Sequence, residues 1–422
     1  YRPQRHFLKL ISTGDKSAIA TRGKWSMEGR WVWNWKNWID THFIDRYKTL
    51  PKMQTDKDSV RSGTNTKLLK SADTHISEES MRCGGCSAKV GFDVLSAALK
   101  DLPLTDRNDV VVGLDHPDDA ALVSVPNGKL SVLSVDAFRP MVSDPYLFGR
   151  ITANHCLGDL YAMGAEPQSA MAIVTLPLWP ENKLVNELRQ MLLGALQTLN
   201  TEGVSLVGGH TSEGSETTLG FSVTGLIDKD KKLLRKASVQ PGDSLILTKA
   251  LGTGTLLAAH MRAEAKGRWI SAAVNSMLAS NHKAGVIMQS HNASACTDIT
   301  GFGLAGHLLE MLKNSNNTAA INMDELPPIE GAIDTLNLGI VSTLHPQNER
   351  FSKQIEISDE ALSHTTFPLL FDPQTSGGLL GAIPVEQADS CLADLIAQGY
   401  ESSRIIGTVI QSESEQKITL RT

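Results

Sequence analysis

Four short acidic phrases, each at the edge of an apolar run, dictate what this chain has to bring together. They are Pro117-Asp118-Asp119-Ala120-Ala121, Ser134-Val135-Asp136, Leu157-Gly158-Asp159-Leu160 and Thr297-Asp298-Ile299-Thr300-Gly301-Phe302-Gly303. An ionised carboxylate beside buried hydrophobic residues costs several kcal/mol unless it is paired, hydrogen-bonded or bound to metal. Singly, these phrases have ordinary structural readings: Asp118-Asp119 as a turn before a strand, Asp298 as the cap of a helix over 303–313. Asp159, inside an apolar helix, is harder to explain that way. Together, with no matching set of His or Cys ligands, they fit oxygen-only coordination of a hard cation, and Mg²⁺ with a polyphosphate is the natural candidate.

The spacing of apolar residues from Met81 onward alternates between strand and helix. Asp109–Leu114, Ala120–Val125 and Leu130–Val135 are β-rich and punctuated by turns, while Leu147–Met163 and Leu184–Leu199 space their apolar residues for helices. Ser169–Leu176 and Leu219–Ile227 read as buried strands. A second block opens at Pro241-Gly242-Asp243 with a strand over Ser244–Thr248, followed by helices to about residue 290 and over 303–313. It closes with strand Gly377–Pro384, helix Val385–Gln398 and strand Ile405–Val409. The fold class this predicts is α/β with mixed sheets, in two domains over 81–240 and 241–422.

The first eighty residues differ in texture. Residues 1–50 hold five of the seven tryptophans, and Glu28–Tyr47 has helical spacing. Residues 51–80 are polar and read as a linker. Residues 1–70 carry 15 Lys and Arg against 6 Asp and Glu, whereas the remainder carries 25 against 40, so the first segment is a separate unit. An acidic body argues against nucleic-acid binding. The tryptophan cluster fits a packing surface for another domain better than a membrane-interface patch. The five scattered cysteines suit a reducing, cytoplasmic compartment, and no apolar run is long enough to span a bilayer. With tyrosine first and no leader pattern following, a fragment or processed product is expected.

Three glycine-rich phrases bear on chemistry. Cys83-Gly84-Gly85-Cys86-Ser87-Ala88-Lys89 fits a redox pair, with Lys89 favouring the thiolate, or a glycine turn with incidental cysteines; spacing does not choose. Gly301-x-Gly303-x-x-Gly306 matches the dinucleotide fingerprint in form, but Ser294–Thr300 is a poor buried strand and no βαβ unit surrounds it, which excludes a Rossmann site. Gly208-Gly209-His210-Thr211, after the apolar run Val204–Val207, is either a plain loop or a row of backbone N–H groups for phosphate.

In order along the chain stand Cys86-x-x-Lys89, Asp118-Asp119-Ala120-Ala121, Ser134-Val135-Asp136, Gly149-Arg150-Ile151 with Asn154, Gly158-Asp159-Leu160-Tyr161-Ala162-Met163-Gly164 and Gly208-Gly209-His210. Thr248-Lys249-x-Leu251-Gly252, Thr297–Leu304 and Asp372-Pro373-Gln374-Thr375-Ser376-Gly377-Gly378-Leu379 follow. With these phrases, residues from about 81 to 422 resemble the selenophosphate synthetase (selenide, water dikinase) family. That family belongs to the ATP-binding superfamily of aminoimidazole ribonucleotide synthetase, thiamine-monophosphate kinase and a hydrogenase maturation protein. Residues 1–50, with Leu8–Asp15 and the Trp-rich helix, resemble the C-terminal end of an NADH dehydrogenase-like flavin oxidoreductase, whose flavin domain is expected upstream in the full-length protein.

The resemblance implies the two-domain ATP-binding fold of the aminoimidazole ribonucleotide synthetase-like superfamily, a homodimer formed through the N-terminal domains, and synthesis of selenophosphate from selenide, ATP and water, with release of AMP and orthophosphate. It implies Cys86 and Lys89 as catalytic residues. Nucleotide contacts fall on Lys89, Asp118, Asp136, Asp159, Gly209, His210 and Thr211, and Mg²⁺ ligands on Asp119, Asp159 and Asp298. The alternatives are another ATP-dependent kinase or synthetase of the superfamily and a non-catalytic selenium or sulfur carrier.

Overall fold

The structure, a computed structural model, describes residues 8–48 and 92–422 apart from 15, 115–120, 232, 314 and 413. Cys83, Cys86, Lys89, Asp118 and Asp119 therefore lie outside the described residues, as does the expected linker over 51–80. The chain divides into two units, Tyr1–Met81 and Arg82–Thr422.

In the first unit, strands Lys9–Gly14, Ser17–Arg22 and Trp25–Gly29 form an antiparallel sheet in chain order, and helix Arg30–Lys48 follows. The helix meets the sequence expectation; the three strands were not anticipated. Alternation along Ser17–Arg22 turns Ala18 and Ala20 inward against Val32. Trp25, Trp31, Trp35 and Trp38 are left exposed.

The Arg82–Thr422 unit begins with a four-stranded sheet in the order Lys129–Phe138, Thr218–Asp228, Glu166–Leu176, Ser205–Glu213. Helices Phe92–Leu99, Pro145–Ala162 and Glu181–Thr201 supply the apolar residues that cover one face. Two of these helices touch backbone to backbone: a methyl on Gly149 would lie 2.0 Å from the Met191 carbonyl, and one on Gly194 would lie 1.9 Å from the Tyr146 carbonyl. Along Lys129–Phe138 the period-two alternation sends Val132, Ser134, Asp136 and Phe138 to the helix side and leaves Leu133 and Val135 on the open side.

The second sheet has seven strands in the order Ala295–Asp298, Leu379–Ile383, Ser244–Leu247, Arg404–Gln411, Asn317–Asn322, Ile418–Arg421, Ile355–Glu356. Every residue of Ser244–Leu247 is buried because both faces are covered: Leu245 and Leu247 join one core, Ile246 the other. This corrects one expectation from the sequence. Ala295–Asp298, judged too polar for a buried strand, is entirely buried, its polar backbone satisfied by pairing with Leu379–Ile383. That pairing is antiparallel, so the neighbouring glycines still do not belong to a parallel dinucleotide-binding crossover.

Helix Pro145–Ala162 joins the two halves. Its Ile151 packs with Leu257 and Met277 of the second half, and its later turns meet helix His282–Ser290 and strand Ala295–Asp298.

Candidate functional site

Three of the expected acidic residues converge where that helix meets both sheets. Asp159 leaves the helix toward Lys129–Phe138, where the inward-facing Ser134 hydroxyl donates to its carboxylate. Asp136, two residues along the same strand face, is half-buried, and burial first, then the Asp159 charge, pushes its carboxyl up to about 6. Asp298 arrives from the other sheet at the end of its strand. It does not cap the following helix, whose N-cap position is Phe302 and has no side-chain cap bond. Instead its carboxylate lies against the helix residue before Asp159: a methyl on Gly158 would be 3.1 Å from Asp298 Oδ2. Burial and then the charge of Asp159 raise the Asp298 carboxyl.

Three carboxyls in mutual repulsion, two of them raised, form a site that favours an incoming positive charge. Asp298 takes part in no ion pair among the described residues. No group of three or more His, Cys, Asp or Glu side chains is preassembled as a complete metal cage among the described residues. The donor set fits a hard cation that takes the rest of its oxygens elsewhere.

The residues Gly209, His210 and Thr211 stand apart. They lie inside strand Ser205–Glu213, not in a loop, because the strand pairs in parallel with Glu166–Leu176 through Glu213. Gly209 is required there, since a methyl would lie 2.3 Å from the Ala172 carbonyl. Asp136, Phe221, Ala172 and Gly209 form one row across the sheet. Three strand spacings, roughly 14 Å, therefore separate Asp136 from Gly209. Phe221 and Ala172 between them are buried under the helices. A largely apolar cavity of about 560 Å³, lined by Leu95, Leu99, Leu188 and Gly208–Thr211, opens on that far edge, away from the acidic group.

The structure adds residues that sequence reading did not single out for function. Lys249 stands two residues past the buried strand Ser244–Leu247, and its ammonium donates to the carbonyls of Ala279 (2.6 Å) and Ser376 (3.0 Å). Burial lowers it to about 7, against the favourable charge of Asp298. His155, one turn before Asp159, is held down to about 4 by burial, and its Nδ1 accepts the Ser376 N–H at 2.9 Å. A lysine two residues past the buried Ser-Leu-Ile-Leu strand was the available signal for the first; nothing local marked the second. Asp372 and Gln374 serve a different purpose. Asp372 accepts from Gly254 N–H at 3.0 Å and Gln374 from Gly252 and Thr253 N–H, so together they cap helix Thr253–Met261.

Comparison with known proteins places this geometry. The AIR synthase related protein family matches the chain with its N-terminal domain over residues 117–227 and its C-terminal domain over 240–418. The selenide, water dikinase of Pelobacter propionicus is 38% identical over 338 residues, covering 80% of this chain and 96% of that protein. The selenide, water dikinase of Clostridioides difficile is 36% identical, covering 81% and 97%. Among solved structures, thiamine-monophosphate kinase from Stenotrophomonas maltophilia superposes with a TM-score of 0.57 at 18% identity over 78% of this chain and 94% of its own. HypE from E. coli superposes with a TM-score of 0.56 at 16% identity over 78% and 92%. These two share the fold.

Proposed function

The chain belongs to the selenide, water dikinase family of AIR synthase-related proteins, and we propose that Asp136, Asp159 and Asp298 are the acidic groups with which it holds Mg²⁺ and ATP. It is an enzyme that transfers phosphate, making selenophosphate from selenide, ATP and water and releasing AMP and orthophosphate. The observation that carries the site assignment is the approach of the Asp298 carboxylate, from a strand end of the second sheet, to Gly158, the helix residue before Asp159, with no ion pair to Asp298 among the described residues.

Phosphoryl transfer asks a protein mainly for positioning and charge neutralisation. Mg²⁺, when bound, supplies the neutralising charge along the polyphosphate. Asp159, oriented by Ser134, and Asp298, at its strand end, would be its ligands together with Asp119. Asp136 and Asp118 would contact the nucleotide, with Asp159 serving both. Cys86 holds or orients the reduced selenium species, and Lys89 stabilises charge on the phosphate and keeps that thiol ionised.

Gly209, His210 and Thr211 remain nucleotide contacts in this reading, but for a second copy's site. The open face of the four-stranded sheet exposes Leu133, Val135, Met171 and Ile173, an apolar surface suited to burial against an identical sheet. Two-fold pairing through that face is the arrangement that brings the far edge of one copy to the acidic edge of the other. We assign the enzyme to the cytoplasm, as an odd set of cysteines, three of them buried free thiols, suits a reducing compartment. No described helix is long and apolar enough to cross a membrane. Residues 1–50 we assign, on resemblance, to the end of a flavin oxidoreductase.

Phosphorus NMR of ATP plus selenide under anaerobic conditions, with and without protein, tests the reading. A selenium-coupled phosphorus signal accompanied by AMP is expected. ADP as the only nucleotide product would favour another superfamily kinase, and failure to bind Mg·ATP would favour a carrier.

A further inference from the structure

Five non-glycine residues among those described adopt the left-handed backbone conformation: Lys16, Asp101, Ala263, Asn292 and Ser376. The first four sit exposed in turns. Ser376, at φ +49°, is buried. A strained backbone inside a core persists only where its surroundings over-determine it, and such positions gather at functional sites.

Every polar group of Ser376 is used, and the partners come from both halves of the Arg82–Thr422 unit. Its N–H donates to His155 Nδ1 at 2.9 Å. Its hydroxyl accepts from Asn154 Nδ2 at 2.9 Å and donates to the Met277 carbonyl at 2.8 Å. Its carbonyl accepts from Lys249 Nζ at 3.0 Å. Asn154 Nδ2 also lies 2.8 Å from the carbonyls of Met277 and Ala279, so the helix residue is gripped by the second half of the unit through three acceptors. Asn154 and His155 stand one turn before Asp159 on the bridging helix, with His155 and Asp159 at the i,i+4 spacing that shares a face. Lys249 follows Thr248, whose N–H donates to the Leu379 carbonyl, and Leu379 is the strand partner of Asp298. The two arms of the hub thus lead to the helix turn that carries Asp159 and to the strand end that carries Asp298, which meet at Gly158.

We propose that Ser376 is a positioning residue: through Asn154, His155 and Lys249 it fixes the separation of Asp159 and Asp298, and so sets how tightly the site takes Mg²⁺ with ATP. The proposal rests on reading those two aspartates as the groups that hold Mg·ATP. A buried polar hub of this kind acts on a metal site as hydrogen-bonded supporting groups do elsewhere, by orienting the ligands.

Ser376→Gly separates this role from simple structural support. Glycine takes the left-handed conformation without strain and keeps the N–H and carbonyl bonds, losing only the hydroxyl that accepts from Asn154. The experiment compares wild type, Ser376→Gly, Asn154→Ala, Asp159→Asn and Asp298→Asn for thermal melting and for Mg²⁺-dependent binding of a fluorescent ATP analogue, a readout independent of turnover. The expected result is melting of Ser376→Gly close to wild type with a Mg²⁺ half-saturation raised about tenfold or more, and the same increase for Asn154→Ala. If both aspartate variants raise the half-saturation while Ser376→Gly and Asn154→Ala leave it unmoved, the hub has no positioning role and the proposal is overturned. If the aspartate variants themselves leave it unmoved, the reading of the acidic site is what fails, and the hub proposal goes with it.

Discussion

Gly158 of the bridging helix lies against the Asp298 carboxylate, its missing methyl leaving Oδ2 a place that a Cβ would approach to 3.1 Å. The contact joins a helix of the first half to a strand end of the second, the two elements that carry Asp159 and Asp298. Alanine at this position favours the helix by about 1 kcal/mol over glycine while pressing on the carboxylate. Gly158→Ala is therefore expected to melt no lower than wild type yet to need more Mg²⁺, with activity at limiting Mg²⁺ down about tenfold. Steady-state rates across a Mg²⁺ titration, beside a melting curve, check this. Unchanged Mg²⁺ dependence would mean that the contact does not bear on the site.

Asp372 gives the fold a pH dependence that can be isolated from the site. It is fully buried, and burial pushes its carboxyl up to about 7 despite hydrogen bonds from Gln374 and Gly254 that favour the anion. Unfolded, an aspartate titrates near 3.9, so between about 4 and 7 the folded chain binds a proton that the unfolded chain has lost. The contribution of this group is complete below about 4 and is lost as the pH climbs through about 7. Asp136, raised to about 6, and His282, raised by its hydrogen bond to Glu202, act in the same direction. Asp109, held near 2 by Arg107, acts in the opposite sense, and its contribution is lost only as the pH falls below about 4. Asp372→Asn should therefore flatten, without abolishing, the fall in melting temperature between pH 5 and 8, by a few degrees. Parallel melting profiles for variant and wild type would remove Asp372 from this account.

The elements readable in the sequence were those with strong apolar spacing. Leu184–Leu199 is the middle of helix Glu181–Thr201, and Ser169–Leu176 and Leu219–Ile227 are strands within one to three residues of their expected ends. Asn317–Asn322 was missed because Asn-Thr-Ala-Ala-Ile-Asn offers little apolar contrast, although all but its last residue are buried. The same lack of contrast concealed Ala295–Asp298. Asp136, Asp159 and Asp298 stood out because a charge beside an apolar run is locally anomalous. The hub around Ser376 was invisible for the opposite reason: Asn154 and Ser376 are unremarkable where they stand, and the bond between them spans 222 residues of chain.

Gly149 and Gly194 were likewise quoted or passed over without their physical reason, which is the backbone contact between two helices. A methyl on Gly149 would lie 2.0 Å from the Met191 carbonyl, a separation that no rotamer relieves. Gly149→Ala must push apart the helices that form most of the first core, and overpacking of this kind costs about 1–3 kcal/mol or more. The expected outcome is a melting temperature lower by several degrees, with loss of activity following from displacement of the helix that carries Asp159. Circular dichroism melting checks the first part. A variant as stable as wild type would show that the two helices can separate at little cost.

Leu133 is 72% exposed in the single chain, beside Val135 on the open face of a sheet whose other face packs against helices. Such a surface on an isolated subunit exposes apolar area that a second copy would bury. Leu133→Asp should shift the enzyme from dimer to monomer in sedimentation equilibrium and abolish selenophosphate synthesis, while leaving the melting of the subunit core largely intact. A monomeric wild type, or a dimeric Leu133→Asp protein, would argue for a different interface.

If the dimer unites the far edge of one copy with the acidic edge of the other, inactive variants should complement. Asp298→Asn damages the acidic edge; Thr211→Ala together with His210→Ala damages the far edge, some 14 Å away across the row from Asp136 to Gly209. In a dimer whose sites are each built within one subunit, mixing the two variants restores nothing, since every site still contains a lesion. In a dimer whose sites are shared, a mixed dimer has one site carrying both lesions and one carrying neither. Random exchange of subunits makes half of the dimers mixed, so about a quarter of all sites recover. AMP release after the two proteins are unfolded together and refolded as a mixture measures this against each refolded alone. Recovery near a quarter of the refolded wild-type rate assigns Gly209–Thr211 to the partner's nucleotide; a rate no higher than that of either variant alone places both edges in the service of separate, self-contained subunits.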